Sequence, residues 1–393
     1  METNLYTVRL RSNKSSIWKN MKPILRRLDM ELTERCNNNC IHCCINLPAD
    51  DFTAKEKELS TDEIKEILKE AASLGCFSVR YTGGEPLLRE DFEDIYLYAR
   101  RLGLKVLLFT NATLITKNLA DLVARIPPLE KIEITVYGMR RKSYEAVTRK
   151  PGSFNAAWEG INLLLEREVP FVVKGALLPP NNKELEDFES WTAKIPWMDG
   201  QPPSYSMFFD LRNRRDSEEK NRLIRKLRLS PEEGLKVLTK RLDKYIKDKK
   251  QFCSKFLTTP GNSIFSCGSG VGGGCVDAYG HFQPCMLIRH PKTIYDLKRG
   301  SLKDALNNFF PKLRKLKAKN PEYLARCARC FLKGLCLQCP GKSWTEHGTL
   351  DTPVEYICDI GHTQARFLGL LREAEMGWEV TDWKDRIKKF VNT

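Results

Sequence analysis

The sequence predicts an α/β fold: a partial (β/α)6 TIM-type barrel, open on one side, followed by a cysteine-rich extension. Three observations predict it. From residue 28, strand-like apolar runs alternate six times with stretches of helical periodicity. The stretches between strands are long enough for right-handed crossovers, which implies parallel pairing. After Ser230-Pro231 the pattern stops and cysteine and glycine take over. A full eight-unit barrel is the nearest alternative from pattern alone. In either barrel, chemistry belongs where the loops gather, at the C-terminal ends of the strands.

The elements follow in order. Residues 28–33 form a short apolar run that leads into the first cysteines. Ser60-Thr61-Asp62-Glu63 reads as a capping box, with Ile64, Ile67, Leu68 and Ala71 following at helical spacing and Gly75 as the stop. Further strands are expected at 77–82, 104–110, 131–137, 171–178 and 205–210, with helices at 91–102, 114–125, 154–168 and 183–195. A connecting helix is expected over 231–250. Residues 251–362 lack long periodic segments, and a region of that kind needs staples that metal can supply. Helical spacing returns at 363–390, with Phe367, Leu370, Leu371, Ala374 and Trp378 on one side. The expected organisation is therefore an N-terminal segment (1–27), a barrel (28–230), a connecting helix (231–250), the extension (251–362) and a C-terminal helical segment (363–393).

At 393 residues, 41% hydrophobic and 29% charged, the composition suits a soluble globular protein with one large and one smaller unit. The longest apolar runs are strand-length, so a membrane partner is not expected. The N-terminus has no apolar stretch of signal-peptide length, which points to the cytoplasm. In a reducing compartment, fourteen cysteines read as metal ligands rather than disulfides. Eleven fall in close-spaced groups or fit one spacing template; Cys44, Cys76 and Cys253 are left over. The net charge of +15 is concentrated at 212–228, 240–250 and 312–319. Runs at helical spacing read first as solvated faces. A docking surface for an acidic peptide or a nucleic acid is the alternative, and the nucleic-acid partner is disfavoured.

Cys36-x3-Cys40-x2-Cys43 directly follows the first strand. Three thiolates can hold three irons of a [4Fe–4S] cluster and leave the fourth open to a ligand. Zinc is the competing reading, but structural zinc takes four ligands and catalytic zinc usually includes His or carboxylate. This loop resembles the radical S-adenosylmethionine (SAM) superfamily. The resemblance implies that SAM chelates the open iron and that the reduced cluster cleaves it to methionine and a 5′-deoxyadenosyl radical. His42 stands where the family usually has an aromatic residue near the adenine. Gly83-Gly84-Glu85-Pro86, at the end of the second strand, resembles the GGEP motif that binds the SAM amino group. Thr110-Asn111 ends the third strand, and Thr135-Val136-Tyr137-Gly138 ends the fourth, resembling a ribose-contacting motif. Lys174 on the fifth strand is a basic residue able to neutralise the SAM carboxylate.

Cys327-x2-Cys330-x5-Cys336-x2-Cys339 is dense enough to bind metal by itself, and alone would read as a four-cysteine zinc site. Cys267, Gly280, Cys285 and Cys358 extend the pattern. Together they resemble the SPASM extension found on a subgroup of radical SAM enzymes, with one departure: the last spacing of the dense motif is two residues, not three. The resemblance implies two auxiliary [4Fe–4S] clusters, making three in all. The nearer would be held by Cys267, Cys285 and Cys339, with Cys275 placed to be its fourth ligand. The outer would be held by Cys327, Cys330, Cys336 and Cys358.

Many SPASM proteins modify peptides or proteins, and the expected function is radical cross-linking, oxidation or epimerisation of a peptide or protein side chain. A small molecule such as a tetrapyrrole or cofactor precursor is the alternative substrate. Sulfatase maturation is disfavoured, because those maturases carry an Asp after the cysteine corresponding to Cys285 and this chain has Met286. A nucleic-acid-binding zinc protein ranks lower still. Residues 1–27 are too few for a leader-binding domain, so leader recognition is expected from a separate protein or from the basic surface. A flavodoxin or ferredoxin is the expected reductant.

Overall fold

A computed structural model describes residues 24–200, 202–253 and 261–392; most of the expected N-terminal segment lies outside the described residues. Six parallel strands appear where the apolar runs predict them: β1 (Arg27–Thr33), β2 (Ser78–Gly83), β3 (Lys105–Thr110), β4 (Leu129–Val136), β5 (Phe171–Ala176) and β6 (Ser204–Ser206). The last is only three residues long, shorter than expected. Alternation along the strands sorts their two faces. Leu28, Met30, Tyr81, Val106, Leu108, Ile132, Ile134, Phe171 and Val173 are buried in one core with Ile64, Leu68, Ile95 and Leu164 from the covering helices. The other face is polar: Asp29 pairs with Arg80 at 3.1 Å and Glu133 with Lys174 at 2.7 Å.

The extension joins the same sheet. β7 (Gly273–Val276) runs parallel to β1 on its free edge, and β8 (His281–Gln283) and β9 (Tyr295–Asp296) follow antiparallel. The sheet order is β9-β8-β7-β1-β2-β3-β4-β5-β6. Barrel and extension are thus one continuous sheet, a connection that sequence pattern did not reveal.

Helices α1 (Thr61–Ser73), α2 (Phe92–Arg101), α3 (Lys117–Arg125), α4 (Arg141–Thr148), α5 (Ser153–Glu166) and α6 (Leu185–Thr192) fill the crossovers. The capping box forms: the Glu63 amide donates to the Ser60 hydroxyl at 3.3 Å, and the Ser60 amide donates to the Glu63 carboxylate at 2.8 Å. Four expectations are corrected. Helix α4 was not foreseen. The single connecting helix is two, α8 (Pro231–Leu238) and α9 (Leu242–Cys253), joined by a 3-10 turn. The C-terminal periodic stretch is not one helix: after α10 (Pro340–His347), α11 (Glu355–Phe367) ends before Gly369, whose φ of 70° breaks the spiral, and α12 (Trp383–Asn392) starts afresh. The basic run at 212–228 is a solvated face only in part. Arg222, Arg225 and Lys226 of helix α7 (Glu218–Leu227) are exposed, as is Arg215, which donates to the Trp344 carbonyl at 2.9 Å, whereas Arg212 and Arg214 reach inward, to Asp216 and Glu34, each at 2.7 Å.

One buried network joins three distant segments. Asp277, between β7 and β8, accepts from Arg214 at 2.9 Å, the His281 ring at 3.1 Å, Gln283 at 3.2 Å, and the amides of Tyr279 and His281. Arg289 pairs with Glu31 on β1 and donates to Gln283 at 2.7 Å. Arg214 also holds Glu34, just before the first cysteines. Burial opposes ionisation of Asp277, but the hydrogen bond from His281 and the charges of Arg289 and Arg214 outweigh it and hold the carboxyl well below its usual range. A native carboxyl depressed in this way stabilises the fold above its unfolded-state range and loses that contribution as pH falls through its native value. Asp277→Asn should therefore cost roughly 3–5 kcal/mol in urea denaturation, as loss of one partner from a buried charge network does. Its stability should also depend less on pH on the acid side. An unchanged denaturation midpoint would show that the network does not hold the extension to the barrel.

Candidate functional site

The first cysteine loop hangs from the end of β1 and is held on every side by main-chain groups. Arg35, just ahead of Cys36, forms a buried pair with Glu58 at 2.8 Å, and the Thr33 hydroxyl donates to the same carboxylate. Residues Arg35–Cys36 pair in parallel with Leu47–Pro48, closing the loop at its base. The amides of Asn39 and Ile41 donate to the carbonyls of Thr148 and Val147 at 2.9 and 3.0 Å, so the unforeseen α4 carries the middle of the loop. Arg212 donates to the Cys43 carbonyl at 3.4 Å, and the Asn213 amide donates to the Cys44 carbonyl at 3.0 Å.

The GGEP segment lies under this loop. Gly84 donates its amide to the Thr33 carbonyl at 2.7 Å, and Glu85 donates to that of Arg35 at 2.9 Å. A Cβ on Gly83 would stand 2.0 Å from the Thr33 oxygen, and one on Gly84 2.1 Å from the Arg35 oxygen. Only glycine allows the two backbones to approach this closely. Glu85 is buried beneath the loop. It accepts from the Thr110 hydroxyl at 2.8 Å and from the amides of Asn111 and Leu87 at 2.7 and 3.1 Å. It therefore ties the ends of β2 and β3 together, and burial pushes its carboxyl up to about 7. Pro86 opens the short 3-10 turn that follows.

Several expected site residues converge on the loop. Asn111 donates to Asn37 at 3.0 Å and lies 3.8 Å from the Cys36 sulfur. Asn37 in turn donates to Thr113, whose hydroxyl donates back to Asn111 at 2.6 Å. His42 packs 5.7 Å from Tyr137 and 5.0 Å from Phe209, and burial lowers its imidazole to about 4, so it is neutral. The Tyr137 hydroxyl is within hydrogen-bond reach of Cys40. Thr135 lies in register with Lys174 across β4 and β5. Lys174 is occupied by Glu133, and its ammonium sits 3.6 Å over the Phe109 ring. Asn37, Thr113 and Arg212 escaped sequence reasoning. The only signal was the triple Asn inside the cysteine spacing.

The donor set suits a cationic group. Burial pushes the Cys40 thiol up to about 12 and holds the Cys36 thiol well above its usual range. Coordination to a metal removes such protons outright. Cys44 is partly buried near Asp210 and Arg212. Cys76 donates to the Ser78 carbonyl, and Cys253 lies in a small apolar cluster with Leu332 and Leu371; both are packing residues.

In the extension, Cys267, Cys327, Cys330, Cys336, Cys339 and Cys358 line one cavity of about 240 Å3. Cys285 feels the charge of Cys267 and acts on Cys339, which groups those three. Arg314, from the basic run at 312–319, fixes the first of them by donating to the carbonyls of Cys267 and Ser269 at 2.8 and 2.7 Å. Cys327, Cys330, Cys336 and Cys358 form the second group through their mutual charge interactions. Cys275 is elsewhere: it is fully buried in β7 opposite Asp29, and the charges acting on it are Glu31, Arg289, Asp29 and Asp277. Among the described residues, no group of three or more His, Cys, Asp and Glu side chains is arranged to hold a metal ion. No helix among them is long and apolar enough to cross a membrane.

Comparison with known proteins matches residues 30–192 to the radical SAM superfamily. The AdoMet-dependent heme synthase of Methanosarcina barkeri is 32% identical over 160 residues, covering 41% of this chain and 45% of that protein. The GTP 3′,8-cyclase of Clostridium perfringens is 29% identical over 159 residues, covering 40% and 48%. The chain thus spans less than half the length of these curated relatives. Among solved structures, anSMEcpe with bound AdoMet superposes with a TM-score of 0.58 at 14% identity, covering 94% of this chain and 96% of that one. SuiB of Streptococcus suis, bound to the precursor peptide SuiA, gives 0.57 at 16% identity over 86% and 77%. At such identities the likeness is one of fold, and it includes the extension as well as the barrel.

The close fit of GGEP against the cysteine loop is open to test. Gly84→Ala should lower stability by about 1–3 kcal/mol through overpacking. It should also reduce the iron bound after anaerobic reconstitution. Wild-type melting temperature and iron content in this variant would refute the close-approach role of Gly84.

Proposed function

This chain is a radical SAM superfamily enzyme by its domain over residues 30–192, and we propose that it modifies a side chain of a peptide or protein. The observation that carries this reading is the whole-chain likeness in fold, barrel and extension together, to anSMEcpe and to SuiB seen with its precursor peptide. Cys36, Cys40 and Cys43 would hold the SAM-binding cluster. Cys267, Cys285 and Cys339 would hold the nearer auxiliary cluster, and Cys327, Cys330, Cys336 and Cys358 the outer one. The first of these groups supplies, when bound, the electron that cleaves SAM to methionine and a 5′-deoxyadenosyl radical able to abstract hydrogen from the substrate.

The chain's own residues do the positioning. Gly83 and Gly84 bring the end of β2 against the loop, while Glu85, occupied internally, keeps the ends of β2 and β3 fixed. His42, Tyr137 and Phe209 form an apolar wall beside Cys40 that excludes water from the site. Thr110, Asn111 and Thr135 offer polar contacts at neighbouring strand ends, with Pro86 shaping the turn next to them. Lys174 can meet the SAM carboxylate only by giving up part of its pairing with Glu133. Cys275 sits in β7, so as the fourth ligand of the nearer cluster it would be supplied by the sheet and not by a loop. A flavodoxin or ferredoxin would supply electrons, and a separate protein could present a leader peptide.

One observation favours a second reading. The heme synthase that is 32% identical over 160 residues is named for a tetrapyrrole product, so a tetrapyrrole or related cofactor precursor is the alternative substrate. Sulfatase maturation gains nothing from the likeness to anSMEcpe, which is one of fold. Met286, whose sulfur lies 3.9 Å from Arg80, has no basic group to take a proton.

Anaerobically reconstituted protein should contain about twelve irons per chain with matching sulfide; two zincs and no sulfide would overturn the proposal. Under strong reductant, 5′-deoxyadenosine should form with the wild type and not with Cys36→Ala. Deuterium passing into 5′-deoxyadenosine from a deuterated peptide supports the first substrate reading, and transfer only from a deuterated tetrapyrrole supports the second.

A further inference from the structure

Cys358 differs from the other cysteines of the outer group in what faces its sulfur. It lies in the first turn of α11, and two nitrogen donors approach it from different segments. Arg326 Nη2 is 3.5 Å from the sulfur, and His362 Nδ1, one turn further along α11, is also at 3.5 Å. Both are at the distance of a hydrogen bond to sulfur, which is longer than one to oxygen.

The proton on His362 can be placed from its partners. The Gly377 amide, an obligate donor, points at His362 Nε2 at 3.0 Å, so Nε2 is the acceptor and carries no hydrogen. The neutral imidazole therefore bears its proton on Nδ1, where it reaches the Cys358 carbonyl at 2.8 Å and the sulfur at 3.5 Å.

Arg326 is as firmly fixed. Glu355 binds it through both oxygens at 2.7 and 2.8 Å, Glu322 at 2.7 Å, and the face of Trp378 lies 4.7 Å from the guanidinium carbon. The two glutamates are more than half exposed. They orient the guanidinium without taking the N–H aimed at sulfur.

We propose that Arg326 and His362 are positioning residues that raise the reduction potential of the group held by Cys327, Cys330, Cys336 and Cys358, by hydrogen bonding to the Cys358 sulfur. The inference rests on the reading that these four cysteines hold an iron–sulfur cluster. Hydrogen bonds to ligating sulfur withdraw electron density and make such a cluster easier to reduce. The bond from Arg326 is charge-assisted and so the stronger of the two. Its effect is local, because the other auxiliary group draws its donors from Ser269 and from the amides of Leu287 and Ile288.

The test is an EPR-monitored redox titration of the reconstituted full chain, with iron and sulfide counted first. Arg326→Met should shift one of three potentials to more negative values, leave the other two in place and leave the iron count unchanged. Arg326→Lys, which keeps a charged donor, should restore part of the shift. His362→Phe should give a smaller shift of the same sign. If the wild type itself shows iron for fewer than three clusters and no signal lost on Cys358→Ala, the reading of a cluster there fails and this assignment falls with it. If the wild-type signal is present and the Arg326→Met potential does not move, the reading stands and the assignment alone is overturned.

Discussion

A parallel sheet that stops at six strands has a raw edge on β1, and this protein closes it with charge as well as with backbone. β7 supplies the hydrogen bonds along β1. Glu31, Glu34 and Asp277 with Arg214 and Arg289 supply the clamp. Burying several charges is unfavourable unless each finds partners with good geometry. Here every carboxylate of the network receives at least one guanidinium nitrogen, and Asp277 receives two main-chain amides as well. Because Glu34 lies two residues before Cys36, the same clamp that fixes the extension fixes the root of the cysteine loop. The two cysteine-bearing regions are therefore mechanically one.

The candidate site works by close main-chain contact more than by an array of side chains. The cysteine loop rests on carbonyls of α4, on two glycine peptides at the end of β2 and on the Arg212 guanidinium. Few of these contacts depend on a chemically distinctive residue. That explains why Glu85, which looks like a ligand-binding carboxylate in the sequence, spends its acceptors on Thr110, Asn111 and Leu87. It holds the strand ends in place for others to use.

What could be read from the sequence had a period or a fixed spacing. The six strands of the barrel and the Ser60 capping box both did, and these elements appear where they were expected. What could not be read depended on partners remote in sequence. The arginines at 212, 214 and 215 look like any basic surface run until Asp277, Glu34 and the Trp344 carbonyl are brought to them. Helix α4 is only eight residues long, and its buried face mixes Ser143 and Thr148 with Tyr144 and Val147, so few apolar residues mark it. Cys275 fits a ligand spacing in one dimension, but its register opposite Asp29 puts it inside the sheet. Gly369 sits in a stretch whose apolar spacing continues past it, and only its positive φ shows that the helix does not.

The pairing of β7 with β1 also sets an order of assembly. During synthesis, β1 emerges first and gains β2 early, yet its other edge waits for a strand made after the whole barrel has left the ribosome. Contacts so distant in sequence form slowly, and an open strand edge in the meantime invites pairing with other chains. Glu31 on β1 and Glu34 just after it keep charge beside that edge and discourage such encounters until Arg289 and Arg214 arrive to neutralise them. A chain built this way matures from its middle outward, and its first strand is among the last to be completed.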